Sequence, residues 1–306
     1  MILLALAGCH SHPRSGKESG GAAPAPRPPD AAMSGVSSAP LALSANLPVQ
    51  KPASAGKAAP PLSPQGRALL KRGVAAYEAD DPATAIKAFE QMIQSDPQAP
   101  IARAYLGLLY VRQKRYADAL KQFQEERKRL PNPAVAWAHI ADVYYAQGDL
   151  PAAIRSLEKA AALQPDLAQV YFNLGMLYPQ TLDLNRGIWA LDRYLALKPD
   201  DDYAHYLRGN QLYKLAHLDE AEQAIEQAIR LAPQNGLYHY ALAQVYLKRT
   251  VSPETTERAL AELQRALALD APEPAAVHYH LGLCYQRKGD WEAARRELEA
   301  SVSMAP

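Results

Sequence analysis

From residue 66 onward, small, large apolar and turn-forming positions recur with a period of 34 residues. Stepping by that period divides the chain into 66–99, 100–133, 134–167, 168–201, 202–235, 236–274 and 275–306; the sixth unit is five residues longer and the seventh two shorter. Position 8 of the unit is small throughout: Gly73, Gly107, Ala141, Gly175, Gly209, Ala243 and Gly282. Position 20 is small as well, as Ala85, Ala119, Ala153, Gly187, Ala221, Ala259 and Ala294. Position 24 is a large apolar knob: Phe89, Phe123, Leu157, Leu191, Ile225, Leu263 and Leu298. Position 32 is Pro97, Pro131, Pro165, Pro199, Pro233 and Pro306, and a proline there ends the helix before it because it cannot continue one. Asp81-Pro82 and Ser252-Pro253 are helix starts, a capping side chain followed by proline in the first turn. Small residues at two positions predict two helices in close approach, which a larger side chain at either would push apart.

The stretch Ala134–Leu167 carries the most regular version of the unit. Trp137, Ile140, Ala141 and Tyr144 are followed by Ala153, Leu157 and Pro165. These types at this spacing resemble the signature of the tetratricopeptide repeat (TPR) superfamily, a helix–turn–helix unit of about 34 residues. The resemblance covers residues 66–306. It implies an all-α, right-handed α-solenoid superhelix of seven repeats occupying residues 65–306. Three departures from the pattern stand out. Pro179 at position 12 of repeat four removes a backbone donor and is expected to end that repeat's first helix early. Glu126 stands where repeat two would carry alanine. The extra length of repeat six is expected mostly in a surface turn at Thr250–Thr256. The Arg- and Glu-rich last helix is expected to act as a solvated cap.

In the superfamily, first helices line a concave face through positions 2, 5, 9, 12 and 13. The resemblance therefore implies a partner-binding groove of Tyr145, Phe172, Met176, Tyr203, Tyr206, Asn210, Tyr213, Lys214, Tyr240, Gln244, Lys248, Tyr279 and Arg287. Tyrosine supplies apolar area and a hydroxyl at low entropic cost, which suits capture of a partner peptide or helix. Leu70, Val74 and His139 stand where some TPR domains place the Lys and Asn that hold a C-terminal carboxylate, so that clamp is not expected. Trp189 is expected on the outer face.

Charge and composition narrow the functions further. Lys+Arg total 33 against 32 Asp+Glu, so the excess of positive charge needed by a nucleic-acid binder is missing. Cys9 and Cys284 lie far apart and suggest no disulfide framework. Motifs for phosphate cradling, acyl transfer, zinc peptidase or redox chemistry are absent, so no enzyme, cofactor, metal or small-molecule substrate is expected. His205, His239 and His278 share position 4 of consecutive repeats, a row open to protonation.

The chain begins MILLALAGC, and Leu6-Ala7-Gly8-Cys9 resembles the lipobox of bacterial lipoproteins, implying a signal segment at 1–9 and lipid on Cys9. Residues 10–64 follow, with 11 prolines among mostly Ala, Ser and Gly, a composition that cannot bury enough apolar surface to order itself. Together these predict a non-enzymatic protein-binding scaffold tethered by lipid to the outer membrane and facing the periplasm, of the kind that serves pilus, secretin or other envelope assembly. The alternative is a soluble cytoplasmic TPR adaptor with a disordered arm.

Overall fold

The computed structural model describes residues 61–304; Cys9, the leader and most of the tether lie outside them. The described residues form seven successive helix pairs. These are α1 (Pro64–Glu78) with α2 (Pro82–Ser95), α3 (Pro100–Arg112) with α4 (Tyr116–Arg129), and α5 (Ala134–Ala146) with α6 (Leu150–Leu163). Then come α7 (Ala168–Leu177) with α8 (Leu184–Leu197), α9 (Asp202–Lys214) with α10 (Leu218–Leu231), α11 (Gly236–Lys248) with α12 (Pro253–Ala268), and α13 (Pro274–Lys288) with α14 (Trp291–Met304). Each second helix from α2 to α12 packs on the first helices on either side of it, and α14 packs on α13. First helices also touch one another, α3 with α5, α7 with α9 and α9 with α11. The layer whose members meet is the inner one, so odd-numbered helices line the concave face of an α-solenoid.

The close approach within each pair follows from positions 8 and 24. A methyl group added to Gly73 would lie 2.7 Å from the Phe89 ring, and one on Gly107 would lie 2.3 Å from the Phe123 ring. Gly175 meets Leu191, Gly209 meets Ile225 and Gly282 meets Leu298 in the same way, at 2.5–2.7 Å. Position 20 supplies the neighbouring wall: the Ala221 carbonyl would sit 3.2 Å from a methyl on Gly209. Phe89, Phe123, Leu157, Leu191 and Leu263 are wholly buried, so each knob seats without a void.

The helix ends match their residues. Asp81, Asp149, Asp183 and Asp201 each accept a hydrogen bond from a backbone N–H of the following first turn. Second helices α2, α4, α6, α8 and α10 each stop two residues before their proline. The first repeat starts earlier than residue 65. Ser63 caps α1 through the Gly66 N–H, and its own N–H and hydroxyl donate to Asp96 at 2.9 and 2.7 Å.

Neighbouring repeats are joined by a recurring triad. Tyr110 and Tyr246 on first helices, and Tyr178 just past the end of α7, donate to Glu90, Glu222 and Glu158 on the second helix of the preceding repeat. Arg115, Arg186 and Arg258 lie 4.2–4.4 Å over the same rings. Burial and the adjacent glutamate raise the hydroxyl pKa of Tyr178 and Tyr246 far above 10, so both stay protonated donors. Each ring–cation contact adds about 0.5–1 kcal/mol.

Two expectations are corrected. The extra length of repeat six does not sit mainly in a turn at Thr250–Thr256. Ser252 forms a capping box with Thr255 and Pro253 opens α12, so Pro253–Thr256 are already helical, and α12 runs 16 residues where the other second helices have 14. Nor is α14 covered uniformly by charge: Trp291, Val302 and Met304 are exposed, at 66, 75 and 50%. Trp291 and Val302 line a largely apolar cleft of about 530 Å³ with Leu298.

Pro179 acts as its chemistry requires. Helix α7 stops at Leu177 and a 3-10 turn, Tyr178–Thr181, replaces its last turn. Without a proline N–H the Gly175 carbonyl loses its helical partner, and the buried Gln211 of α9 donates to it instead, Nε2 to O 2.9 Å. A methyl on Gly187 would meet Gln211 Oε1 at 2.3 Å and Pro179 Cδ at 3.1 Å, which explains glycine where other repeats carry alanine. Gln211→Leu is expected to destabilise the protein by about 1–3 kcal/mol, the usual cost of an orphaned buried carbonyl. In a Pro179→Ala background, where the backbone donor returns, the same change should cost much less. Urea unfolding of the four-member cycle measures this, and strict additivity would refute it.

Candidate functional site

Position 5 of the inner layer is aromatic in the last four repeats: Phe172, Tyr206, Tyr240 and Tyr279. The structure links these rings into two groups. In the first, Tyr194 lies 5.1 Å from Phe172, Phe172 lies 6.4 Å from Tyr203, Tyr203 lies 5.8 Å from Tyr206, and Tyr206 stacks on Tyr238 at 5.2 Å. Tyr194 and Tyr238 are anchored by hydroxyl donation to Asp201 and Asp202, at 2.7 and 2.6 Å. In the second, the Tyr240 hydroxyl lies 3.2 Å from His280 Nδ1, and Tyr279 lies edge-on to the same imidazole. Burial lowers the pKa of His280, so it is neutral at pH 7 and the group is an uncharged apolar–polar surface.

The thirteen expected groove residues fall into three sets. Lys214, Lys248, Tyr279 and Arg287 are exposed, and Tyr145, Phe172, Met176, Tyr203, Asn210, Tyr213 and Gln244 are half-buried. Tyr206 and Tyr240 are buried, at 8 and 7% exposure, and belong to the hydrophobic core of repeats five to seven. Their place as open contact residues is therefore corrected. The next repeat's first helix covers them, with Tyr238 over one and His280 against the other. Tyr279 keeps 48% exposure with the same position in its own repeat. The floor of the groove is thus packed tyrosine, and its accessible surface is a mixture of ring edges, amides and cations.

Lys248 shows how the cations are seated. Its ammonium donates to the Tyr213 carbonyl at 2.7 Å and lies 4.3 Å from the centre of the Tyr213 ring. Arg112 sits the same way over Tyr77 in repeats one and two, at 4.3 Å, and donates to its hydroxyl at 2.9 Å. Lys214 is partly desolvated by the groove wall, which lowers its pKa.

The histidines at position 4 part company. His239 Nδ1 is 2.6 Å from Glu262, and His278 Nδ1 is 2.6 Å from Glu297, each on the second helix of its own repeat. His205 instead approaches the Pro199 carbonyl at 2.9 Å. The hydrogen bond to Glu262, set against burial, raises the pKa of His239. Glu126, the expected oddity of repeat two, is buried beside His139 at 3.1 Å, a pairing of position 27 with position 6 of the next repeat.

Cys284 is fully buried, and burial pushes its thiol up to about 11, so it packs as a small apolar side chain. Trp189 is half exposed on α8 and edge-on to Tyr171. An outer cleft of about 450 Å³ between α10, α11 and α12 is lined by Arg230, Arg258 and Arg265, with Glu226 and Glu262 opposing them. Among the described residues no cluster of His, Cys, Asp or Glu is placed to hold a metal, and no helix is long and apolar enough to cross a membrane.

These repeats match known family models. A TPR repeat model matches residues 141–181, and tetratricopeptide repeat models match 70–132, 202–235 and 256–306. The chain belongs to the tetratricopeptide repeat superfamily, whose fold is a protein-interaction scaffold. Three solved structures share the architecture. A TPR protein from Parabacteroides merdae is 16% identical, with 80% of this chain and 94% of that one aligned at a TM-score of 0.53. YrrB, described as a TPR protein with an unusual peptide-binding site, is 20% identical over 60% of this chain and 93% of its own, also at 0.53. MamA from Desulfovibrio magneticus RS-1 is 24% identical over 56% of this chain and 94% of its own, at 0.51. No curated protein matches the sequence.

The buried His139 has a pH signature. Burial lowers its pKa, but the Glu126 charge and hydrogen bond, helped by Asp142, outweigh that and raise it above 6.5. A raised folded pKa stabilises fully below the unfolded value and is lost as pH rises through the folded one. The stability of the native protein relative to His139→Gln is therefore expected to be greatest below pH 6.5 and to fall above it. Denaturant midpoints of both proteins between pH 5.5 and 8.5 check this; a constant difference would refute it.

Proposed function

We propose that this protein is a non-enzymatic scaffold of the bacterial cell envelope that captures partner peptides or helices on the concave face of repeats four to seven. The observation that supports this most is the aromatic floor of those repeats. Packed rings from Phe172 to Tyr238 and from Tyr240 to Tyr279 hold the inner layer rigid. Above it Met176, Asn210, Tyr213 and Gln244 offer apolar and amide contacts at the surface. A rigid floor lowers the ordering cost of binding, and amides suit the backbone of an extended segment. The peptide-binding site described for YrrB, on the same fold, agrees with this use of a TPR array.

The reading is tested by placing a photo-crosslinking residue at Gln244 or Tyr279 on the inner face, with Arg155 on the exposed face of α6 as control. The same partner is expected from both inner sites and neither from the control nor, with the crosslinker at Gln244, from a Met176→Glu, Tyr279→Ala double variant. Equal capture at Arg155 would sink the groove reading.

The envelope location rests on the Leu-Ala-Gly-Cys run and the proline-rich tether behind it. A lipid on Cys9 would hold the array off the outer membrane by the length of that tether. Labelled palmitate is expected to enter the full-length protein and to be lost in Cys9→Ser. Unlabelled protein recovered wholly in the cytoplasm would favour the soluble adaptor instead.

A further inference from the structure

Position 13, in the last turn of the inner helix, is a cation in each of repeats five, six and seven: Lys214 and Lys248 end α9 and α11, and Arg287 is the last but one residue of α13. The 39 residues between Lys248 and Arg287 are the repeat plus its five-residue insertion, so register is kept. All three side chains are exposed, and none forms an ion pair among the described residues. Their neighbour Lys288, by contrast, is neutralised by Glu257 at 2.7 Å.

A cation at a helix C-terminus also answers the helix dipole, worth about half a negative charge. That need does not explain the row. Repeats one, three and four end their inner helices with Glu78, Ala146 and Leu177 and are well formed without a cation. None of the three meets a carboxylate among the described residues, and by position they share one edge of the inner face. The aromatic floor beside them limits hydration, and the ammonium of Lys214 is already partly desolvated. Most nearby carboxylates are engaged elsewhere: Asp202 accepts from Tyr238 at the other end of α9, Glu257 pairs with Lys288, and Asp290 caps α14 by accepting from the Ala293 N–H, while Glu273 acts on Tyr240 at the start of α13.

We propose that the partner segment bound in repeats five to seven is acidic and extended, with carboxylates meeting Lys214, Lys248 and Arg287 in turn. This rests on the groove reading above and names the chemistry of its occupant. Packed helices stand about 8–10 Å apart, and a chain extended as polyproline II, which presents the same face every third residue, advances about 3.1 Å per residue. Acidic side chains at every third residue therefore match successive repeats. The protein's own tether does not fit the site: residues 10–60 carry five Lys and Arg (Arg14, Lys17, Arg27, Lys51 and Lys57) against Glu18 and Asp30, so the row repels it.

The probe is a synthetic peptide of four Glu-Leu-Ser triplets, compared with one in which Gln replaces Glu and one in which Lys does, each titrated against the full chain by fluorescence anisotropy. The Glu peptide is expected to bind about tenfold more tightly than the Gln peptide at low salt, as three partly exposed ion pairs allow. The advantage should vanish near 1 M salt and in the Lys214→Gln, Lys248→Gln, Arg287→Gln variant, whose exposed positions leave the fold intact by circular dichroism. Equal binding of Glu and Gln peptides, still lost in Tyr279→Ala, would overturn the acidic assignment and leave the groove standing. Binding of all three peptides unaffected by Tyr279→Ala would overturn both.

Discussion

Everything in this molecule depends on the distance between the two helices of a repeat, and that distance is set by a missing side chain under a large one. Where position 8 is glycine, the knob at position 24 occupies the volume a methyl group would need. The contact is repeated at Gly73, Gly107, Gly175, Gly209 and Gly282, each against the residue 16 positions later. Because the same approach recurs, successive pairs present similar surfaces and stack, and stability is built from nearest neighbours rather than one central core. The Tyr–Glu–Arg triads between repeats one and two, three and four, and five and six are the polar counterpart of that stacking.

Where the pattern is broken, the break is compensated locally. Pro179 strips a donor from α7, Gln211 from the next repeat supplies one, and Gly187 makes room for it. Three departures that look independent along the chain are one arrangement in space. It also ties the shortened helix α7 to α9, at the point where the aromatic part of the groove begins. Glu126 follows the same logic, since a carboxylate buried in place of alanine is stable because His139 of the next repeat meets it.

The repeat count, helix pairing and helix ends were legible in the sequence because small, large and proline positions recur at one period. The caps at Asp81 and Ser252 were legible for the same reason: their chemistry is local. What side chains do between repeats was not. Burial of Tyr206 and Tyr240 depends on Tyr238 and His280, which share neither their helix nor their position in the unit. The insertion of repeat six was misplaced because extra residues were assigned to a turn, whereas the Ser252 capping box starts the helix at once and lengthens α12. Position numbers tell which face a residue occupies, and only the neighbouring helix tells whether that face is still open.

That distinction shapes the groove. Tyrosines at position 5 are drawn into the core wherever another repeat follows, so they set the stiffness and the dryness of the inner face rather than its contacts. Residues at positions 9 and 13 stand further from the covering helix and stay accessible: Asn210 and Gln244 as amides, Lys214, Lys248 and Arg287 as cations. In the reading proposed above, the rings would exclude water and so strengthen a charge pair formed beside them, while one cation per repeat would convert the period of the fold into a period for a ligand to match. A solenoid with its cations scattered over other positions would have the same net charge and no such register.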